Sequence, residues 1–278
     1  MIDFTLDEFL EATLREDLGR AGDLTTNAIV PTDRTASATI VARSALTVSG
    51  LAAAGRTFVL LDPSVTVDFG ARDGDTVASG TVLATVSGAA RTLLTAERTA
   101  LNVLGRLCGV ATATRRYVDA IAGTNATIVD TRKTTPGMRA LEKAAVRHGG
   151  GKNHRFGLDD AILIKDNHVA IAGGIVPAIT AARAHAGHLV KIEVEVDTLA
   201  QLDEALVAHA DIILLDNFAL ADLGAAVART HGAALLEASG GVTLATVRAI
   251  AETGVDLISV GALTHSAPSA DVALDIAD

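Results

Sequence analysis

Residues 189–217 read LVKIEVEVDTLAQLDEALVAHADIILLDN. An apolar run at 189–196 carries two glutamates, an Ala- and Leu-rich stretch follows, and a second apolar run stands at 211–215. Strand, helix and strand at a spacing of a little over twenty residues make one βα unit of a parallel sheet. The rhythm extends in both directions. Apolar runs at 127–130, 161–164, 233–237 and 256–260 bring the strand candidates to six, with Ala-rich helical segments between them. Repeated βα units predict a barrel. Six strands instead of eight predict either two hidden strands or an incomplete barrel.

Upstream the pattern changes. Residues 37–43, 65–69 and 81–86 alternate as strands do, with turn signals at Asp73-Gly74-Asp75 and Ser79-Gly80. A helix is expected near 50–61. Residues 1–30 read as a helix and a turn, broken by Gly19, Gly22 and Asp23. Another helix is expected to start at a Thr95 cap with Glu97 in its first turn, and a second helical stretch to follow to about Ala122.

The 278 residues are 49 % apolar, Trp is absent, and Tyr117 is the one tyrosine. The core must be aliphatic, which suits parallel strands covered by helices. The single cysteine, Cys108, has no partner in the chain for a disulfide, so a reducing compartment fits best. The acidic, amphipathic start lacks the basic region and apolar run of a signal peptide. No uncharged run is long enough to cross a bilayer. A soluble cytoplasmic protein is expected, with no membrane partner. The net charge of −10 argues against nucleic acid as the main partner. All five lysines nevertheless lie between 133 and 191, and residues 132–165 hold eight Lys/Arg against three Asp/Glu. Such gathering suits an anionic ligand. Arg139 and Lys143 read as a solvated helix face; Arg132, Lys133 and Lys165 do not.

In a βα barrel the active site lies at the carboxyl ends of the strands. The strand at 127–130 runs into Thr131-Arg132-Lys133, and the strand at 161–164 into Lys165. Glu193 and Glu195 share one face of the strand at 189–196. The later strands end at Asp216-Asn217, Ser239-Gly240-Gly241 and Gly261-Ala262. Arg132 and Lys133 offer a planar fork and a point charge to carboxylates and phosphates. Lys165 follows a buried apolar run and needs an anionic partner. Glu195 and Asp216 suit Mg²⁺ shared with substrate oxygens. Backbone N–H groups at 239–241 and 261 suit phosphate. Residues 149–155, GGGKNHR, read as a mobile binding loop that carries His154 and Arg155. Three chemistries stay open on these residues: anion transfer, a Schiff-base aldolase built on Lys165, and a phosphate sensor without catalysis.

Longer motifs narrow the choice. Asp130-Thr-Arg-Lys-Thr-Thr-Pro-Gly137 resembles the DTRKTTPG motif of the quinolinate phosphoribosyltransferases. Glu142-Lys-Ala-Ala-Val146 with Gly149–Arg155, Ile164-Lys-Asp-Asn-His168, Glu193-Val-Glu-Val196, Leu215-Asp-Asn217, Ser239-Gly-Gly241 and Ser259–His265 follow in family order. Glu97–Asn102 and Leu107–Thr112 are similar too. The resemblance implies an N-terminal α/β sandwich domain (1–108) and an open, incomplete parallel βα barrel (109–265), with 266–278 a candidate to pack on the first domain. It implies transfer of phosphoribosyl from phosphoribosyl pyrophosphate to quinolinate, with Mg²⁺ and decarboxylation. The nearest alternative is transfer to nicotinate or another pyridine acid. It also implies a homodimer in which Arg98 completes the neighbouring subunit's site. By the same resemblance Thr131, Arg132, Lys133, His154, Arg155 and Lys165 bind quinolinate carboxylates and pyrophosphate. Glu195 and Asp216 meet the ribose and metal, and Ser239, Gly240, Gly241, Gly261 and Ala262 hold the 5-phosphate. Lys133, Lys165, Glu195 and Asp216 are the implied catalytic set.

Overall fold

The computed structural model describes residues 4–276; Met1–Asp3 and residues 277–278, the ends of the predicted N-terminal helix and C-terminal segment, lie outside the described residues. The chain begins with α1 (Phe4–Leu18), α2 (Leu24–Ile29), β1 (Thr35–Ala42), β2 (Leu46–Thr47), α3 (Leu51–Leu61), β3 (Thr66–Phe69), β4 (Thr76–Val77), β5 (Val82–Ala89) and the long α4 (Ala90–Ala120). Alternation follows: β6 (Thr127–Val129), α5 (Arg139–His148), β7 (Ile162–Ile164), α6 (Asp166–Ala172), α7 (Ile175–His185), β8 (Ile192–Val196), α8 (Leu199–Val207) and β9 (Ile212–Asp216). The chain closes with α9 (Leu220–Thr230), β10 (Leu235–Ser239), α10 (Val247–Glu252), β11 (Leu257–Ser259), α11 (Ala262–His265) and β12 (Val272–Ile276).

Two compact units result. One comprises residues up to Ala113, 135–150 and those from Ala267; the other comprises 114–134 and 151–266. In the first, a four-stranded antiparallel sheet in the order β12-β1-β5-β3 packs on α3 and α4. Its core is aliphatic: Ile40, Leu83 and Val86 from the sheet meet Phe58 of α3 and Leu93, Leu104 and Cys108 of α4. Each fully buried Leu or Phe side chain contributes about 1.5–3 kcal/mol. The C-terminal residues pass close over α4. A Cβ on Gly109 would collide with the Pro268 carbonyl oxygen, and the Ala270 N–H donates to the Gly105 carbonyl at 2.8 Å. The strand β12 then pairs antiparallel with β1.

The expected helix start at Thr95 is corrected to Ala90. No breaker stands between Ala89 and Thr95, and the Thr95 hydroxyl donates to Asp23 at 3.1 Å instead of capping. One helix of 31 residues replaces the two stretches expected. The reading of Lys143 as solvated is also corrected: Lys143 and Glu142 on α5 are fully buried. Glu142 accepts two bonds from Arg106, at 2.9 and 2.7 Å, and one from the Thr135 hydroxyl at 2.8 Å.

In the second unit all six predicted strands form one parallel sheet in the order β6-β11-β10-β9-β8-β7. The edge strands β6 and β7 do not pair with each other, so the barrel is open. Residues with the parity of Ile192, Val194 and Val196 are buried. The opposite parity sets Leu163 beside Glu193, Glu195 beside Leu214, Leu214 beside Glu237 and Asp216 beside Ser239. That polar face, read toward the strands' carboxyl ends, carries the site.

Candidate active site

A cavity of about 410 Å³ opens on this face. The segment after β6 supplies Thr131, Arg132 and Lys133, and β7 supplies Leu163 and the following Lys165. Strand β8 contributes Glu195, β9 Leu214 and Asp216, β10 Glu237 and Ser239, and β11 Ser259. His154 and Arg155 close one side.

The two basic motifs are tied together by one buried carboxylate. Asp130, fully buried, accepts from the Asn153 amide at 2.6 Å and from the His154 N–H at 2.9 Å. Lys152 bridges to Val129 in parallel fashion, with its N–H donating to the Ile128 carbonyl at 2.9 Å. Residues 151–155 are thereby laid along the edge strand β6, and His154 and Arg155 reach into the cavity.

The cations in the cavity are only partly matched by acids. Lys165 pairs with Glu195 at 2.9 Å. Among the described residues Arg132 and Lys133 make no ion pair with a carboxylate, and the Nε atoms of both Arg132 and Arg155 are buried without a hydrogen-bond partner. Burial, and then the charge of Arg132, lower the pKa of Arg155. Two neighbouring guanidiniums with unfilled donors call for an anion. On the acidic side, Asp216 accepts from the Asn217 amide at 2.7 Å. Below the cavity, Glu193 meets His154 Nε2 at 2.8 Å, and Glu237 lies 3.6 Å from the same nitrogen. Burial, and then the Glu193 charge, push the Glu237 carboxyl up to about 7.

After β10 the chain turns through Gly240, with φ of +90°. A Cβ there would collide with Asn217 Oδ1, so only glycine fits both the backbone and the space. Gly261, at the start of α11, lies against the Lys133 side chain; a Cβ on it would be 3.1 Å from Lys133 Cδ.

Nine of the sequence-derived residues thus line one cavity: Thr131, Arg132, Lys133, His154, Arg155, Lys165, Glu195, Asp216 and Ser239. Gly240 and Gly241 occupy the turn after β10, and Gly261 and Ala262 follow β11 at the N-cap and first position of α11. Arg98 belongs to the first unit, where it lines a cavity with Glu16, Asp17 and Asn102 and is 64 % exposed. Of Glu193 and Glu195, it is Glu195 that lines the cavity. The sequence reading passed over Leu163, Leu214, Glu237 and Ser259. The two-residue period held the signal for two of them, since Leu214 and Glu237 stand two before Asp216 and Ser239 on the same faces.

Residues 110–275 match the family model of the quinolinate phosphoribosyl transferase C-terminal domain, and residues 23–108 match that of its N-terminal domain. The chain belongs to the quinolinate phosphoribosyl transferase family. It is 47 % identical to the nicotinate-nucleotide pyrophosphorylase [carboxylating] of Mycobacterium leprae, with 96 % of this chain and 95 % of that protein covered. It is 45 % identical to the probable enzyme of that name in Bacillus subtilis, with 98 % and 93 % covered. Among solved structures, NadC from Streptococcus pyogenes superimposes with a TM-score of 0.95 at 41 % identity, covering 100 % of this chain and 99 % of that one.

Proposed function

We propose that this enzyme transfers the phosphoribosyl group of phosphoribosyl pyrophosphate to quinolinate and releases CO₂, giving nicotinate mononucleotide and pyrophosphate for NAD biosynthesis. The observation that carries the reading is the set Arg132, Lys133, Arg155 and Lys165 around one cavity, of which, among the described residues, only Lys165 makes an ion pair. Both substrates are polyanions, and such a cavity in an acidic chain suits them. A dicarboxylate fits four cations better than a monocarboxylate does.

In this reading Arg132, Arg155 and Lys165 grip the pyridine carboxylates and His154 lines the same wall. Their grip aims the ring nitrogen at the anomeric carbon. Lys133, beside Gly261, faces the phosphate end with the turns at 239–241. As the nitrogen forms its bond to the anomeric carbon, the bond from that carbon to the pyrophosphate oxygen breaks and the electron pair leaves with pyrophosphate. Glu195 and Asp216 face the positive charge that develops on the ribose. The ring nitrogen is then cationic, so the adjacent carbon–carboxylate bond can break, its electron pair held beside that nitrogen until a solvent proton replaces CO₂.

Glu195 and Asp216 are hard oxygen donors on adjacent strands, and each has a carboxylate oxygen beyond its bond to Lys165 or Asn217. They fit Mg²⁺, which would neutralise charge on the departing pyrophosphate.

We read the assembly as a homodimer in which Arg98 serves the neighbouring subunit's site, and the location as cytoplasmic. The exposed guanidinium of Arg98 and the free thiol of Cys108 support those readings. Mixing Arg98→Ala with Asp216→Ala protein tests the first. Re-formed dimers should recover about a quarter of wild-type sites, since half would be mixed and each would hold one complete site. Recovery of nothing overturns the shared site.

The primary test is release of pyrophosphate and CO₂ with phosphoribosyl pyrophosphate, Mg²⁺ and either quinolinate or nicotinate. Both products with quinolinate alone are expected. Pyrophosphate with nicotinate alone moves the enzyme to the other pyridine acid, and silence with both refutes the reading.

A further inference from the structure

At the floor of the cavity are two carboxylates that the proposed reaction does not use, Glu237 lining it and Glu193 just beneath. Glu237 on β10 is 1 % exposed and Glu193 on β8 is 4 % exposed. Among the described residues, neither oxygen of Glu237 has a hydrogen-bond partner, nor has Oε1 of Glu193. Burying such groups is unfavourable. The same face of the sheet carries Leu163 and Leu214 at neighbouring positions, so apolar side chains fit this floor. Two acids there call for a role.

Both acids converge on His154. Its Nε2 lies 2.8 Å from Glu193 and 3.6 Å from Glu237. Its Nδ1 accepts from the Arg155 backbone N–H at 2.8 Å, so the ring proton sits on Nε2 and points at the carboxylates. Its own N–H donates to Asp130 at 2.9 Å. The ring is therefore held from below, from the side and through its backbone. The ligand atoms of His154, Glu193 and Glu237 lie within 4.8 Å of one another, which on distance alone suits a cation. Both ring nitrogens are engaged and the charge of Arg155 acts on Glu193, so the imidazole N–H and the guanidinium already serve these carboxylates.

We propose that Glu237, together with Glu193, is a positioning residue: the buried pair fixes the His154 ring, and through it sets Arg155 for the pyridine dicarboxylate. This rests on the reading of the cavity as the quinolinate site. The pair acts on the pyridine end of the cavity and leaves the phosphate turns at 239–241 and 261 untouched. Its removal therefore discriminates between the two substrates.

Glu237→Gln keeps the shape and removes the acid, and the two proteins are compared at about pH 8, where the wild-type carboxylate is charged. Quinolinate binding to the full-length variant is expected to weaken at least about tenfold, while binding of phosphoribosyl pyrophosphate with Mg²⁺ stays within about twofold. The ¹⁵N signals of His154, assigned by their absence from a His154→Gln spectrum, should shift in the variant. Glu193→Gln is the second variant, with the same expectations, if Glu237→Gln does not fold. Equal loss for both ligands, or no change for quinolinate, overturns the proposal. Failure of both variants to fold also overturns it and makes the pair a stability element. If the wild type binds no quinolinate, the functional reading fails instead. The nitrogen spectrum still decides the positioning in that case, because an unmoved His154 signal sinks it.

Discussion

Arg132 shows why a charge is informative only with its surroundings. Its Nε is buried and unfilled, and among the described residues no carboxylate forms an ion pair with it. In the proposed reaction Arg132→Ala should raise the KM for quinolinate by about ten- to a hundredfold with an unchanged melting temperature; an unchanged KM would remove Arg132 from the pyridine site. Glu237 gives a prediction of opposite character. Burial raises its folded pKa from 4.5 to about 7, so the folded chain binds this proton more tightly than the unfolded chain. Stability is then highest below the unfolded value and falls as pH rises through the folded one. The loss is on the order of 3 kcal/mol at most. Melting curves between about pH 4.5 and 8 should show the wild type losing stability relative to Glu237→Gln. Parallel curves would refute the shift.

At the scale of elements, α5 carries a motif whose meaning the sequence left ambiguous. Glu142-Lys-Ala-Ala-Val146 looked like a solvated basic face joined to a family signature. In the structure it is an internal strut, where Glu142 receives Arg106 of α4 and both the N–H and hydroxyl of Thr135. Arg106 is itself only 19 % exposed. Removing one partner leaves a buried charge unpaired, so Glu142→Leu should cost about 3–5 kcal/mol of stability. Chemical denaturation measures this, and a cost below about 1 kcal/mol would contradict the strut. The turn after β10 is the second case. Gly240→Ala meets both a positive φ and Asn217, so phosphoribosyl pyrophosphate binding should weaken more than quinolinate binding. Equal effects on the two ligands would detach that turn from phosphate. The early helix start belongs here too: Thr95 has the chemistry of a cap, but Asp23 takes its hydroxyl, and only the fold brings Asp23 there.

For the whole molecule, the single thiol is a probe of the first unit's integrity. Cys108 is buried in the aliphatic core, and burial pushes its pKa up to about 12. The native protein should resist thiol reagents at neutral pH and react only as that core opens; rapid native labelling would show the core to be loose. The sequence by itself determined the six parallel strands, because each is an apolar run bounded by polar turns and local pattern suffices to place it. It also pointed to an anionic ligand, because Arg132, Lys133 and Lys165 follow strand ends whatever the strand order, whereas Arg155 reaches the cavity only through the bridge of Lys152 to Val129. It did not determine that Lys143 is buried, since burial depends on what packs over a helix. Nor did it separate Glu193 from Glu195. The two share a face, and depth along the strand sets one in the cavity beside Lys165 and the other beneath it beside His154. The pairing of Glu193 with Glu237 was decided by tertiary structure alone, because their strands meet around β9 only once the sheet order β10-β9-β8 is formed.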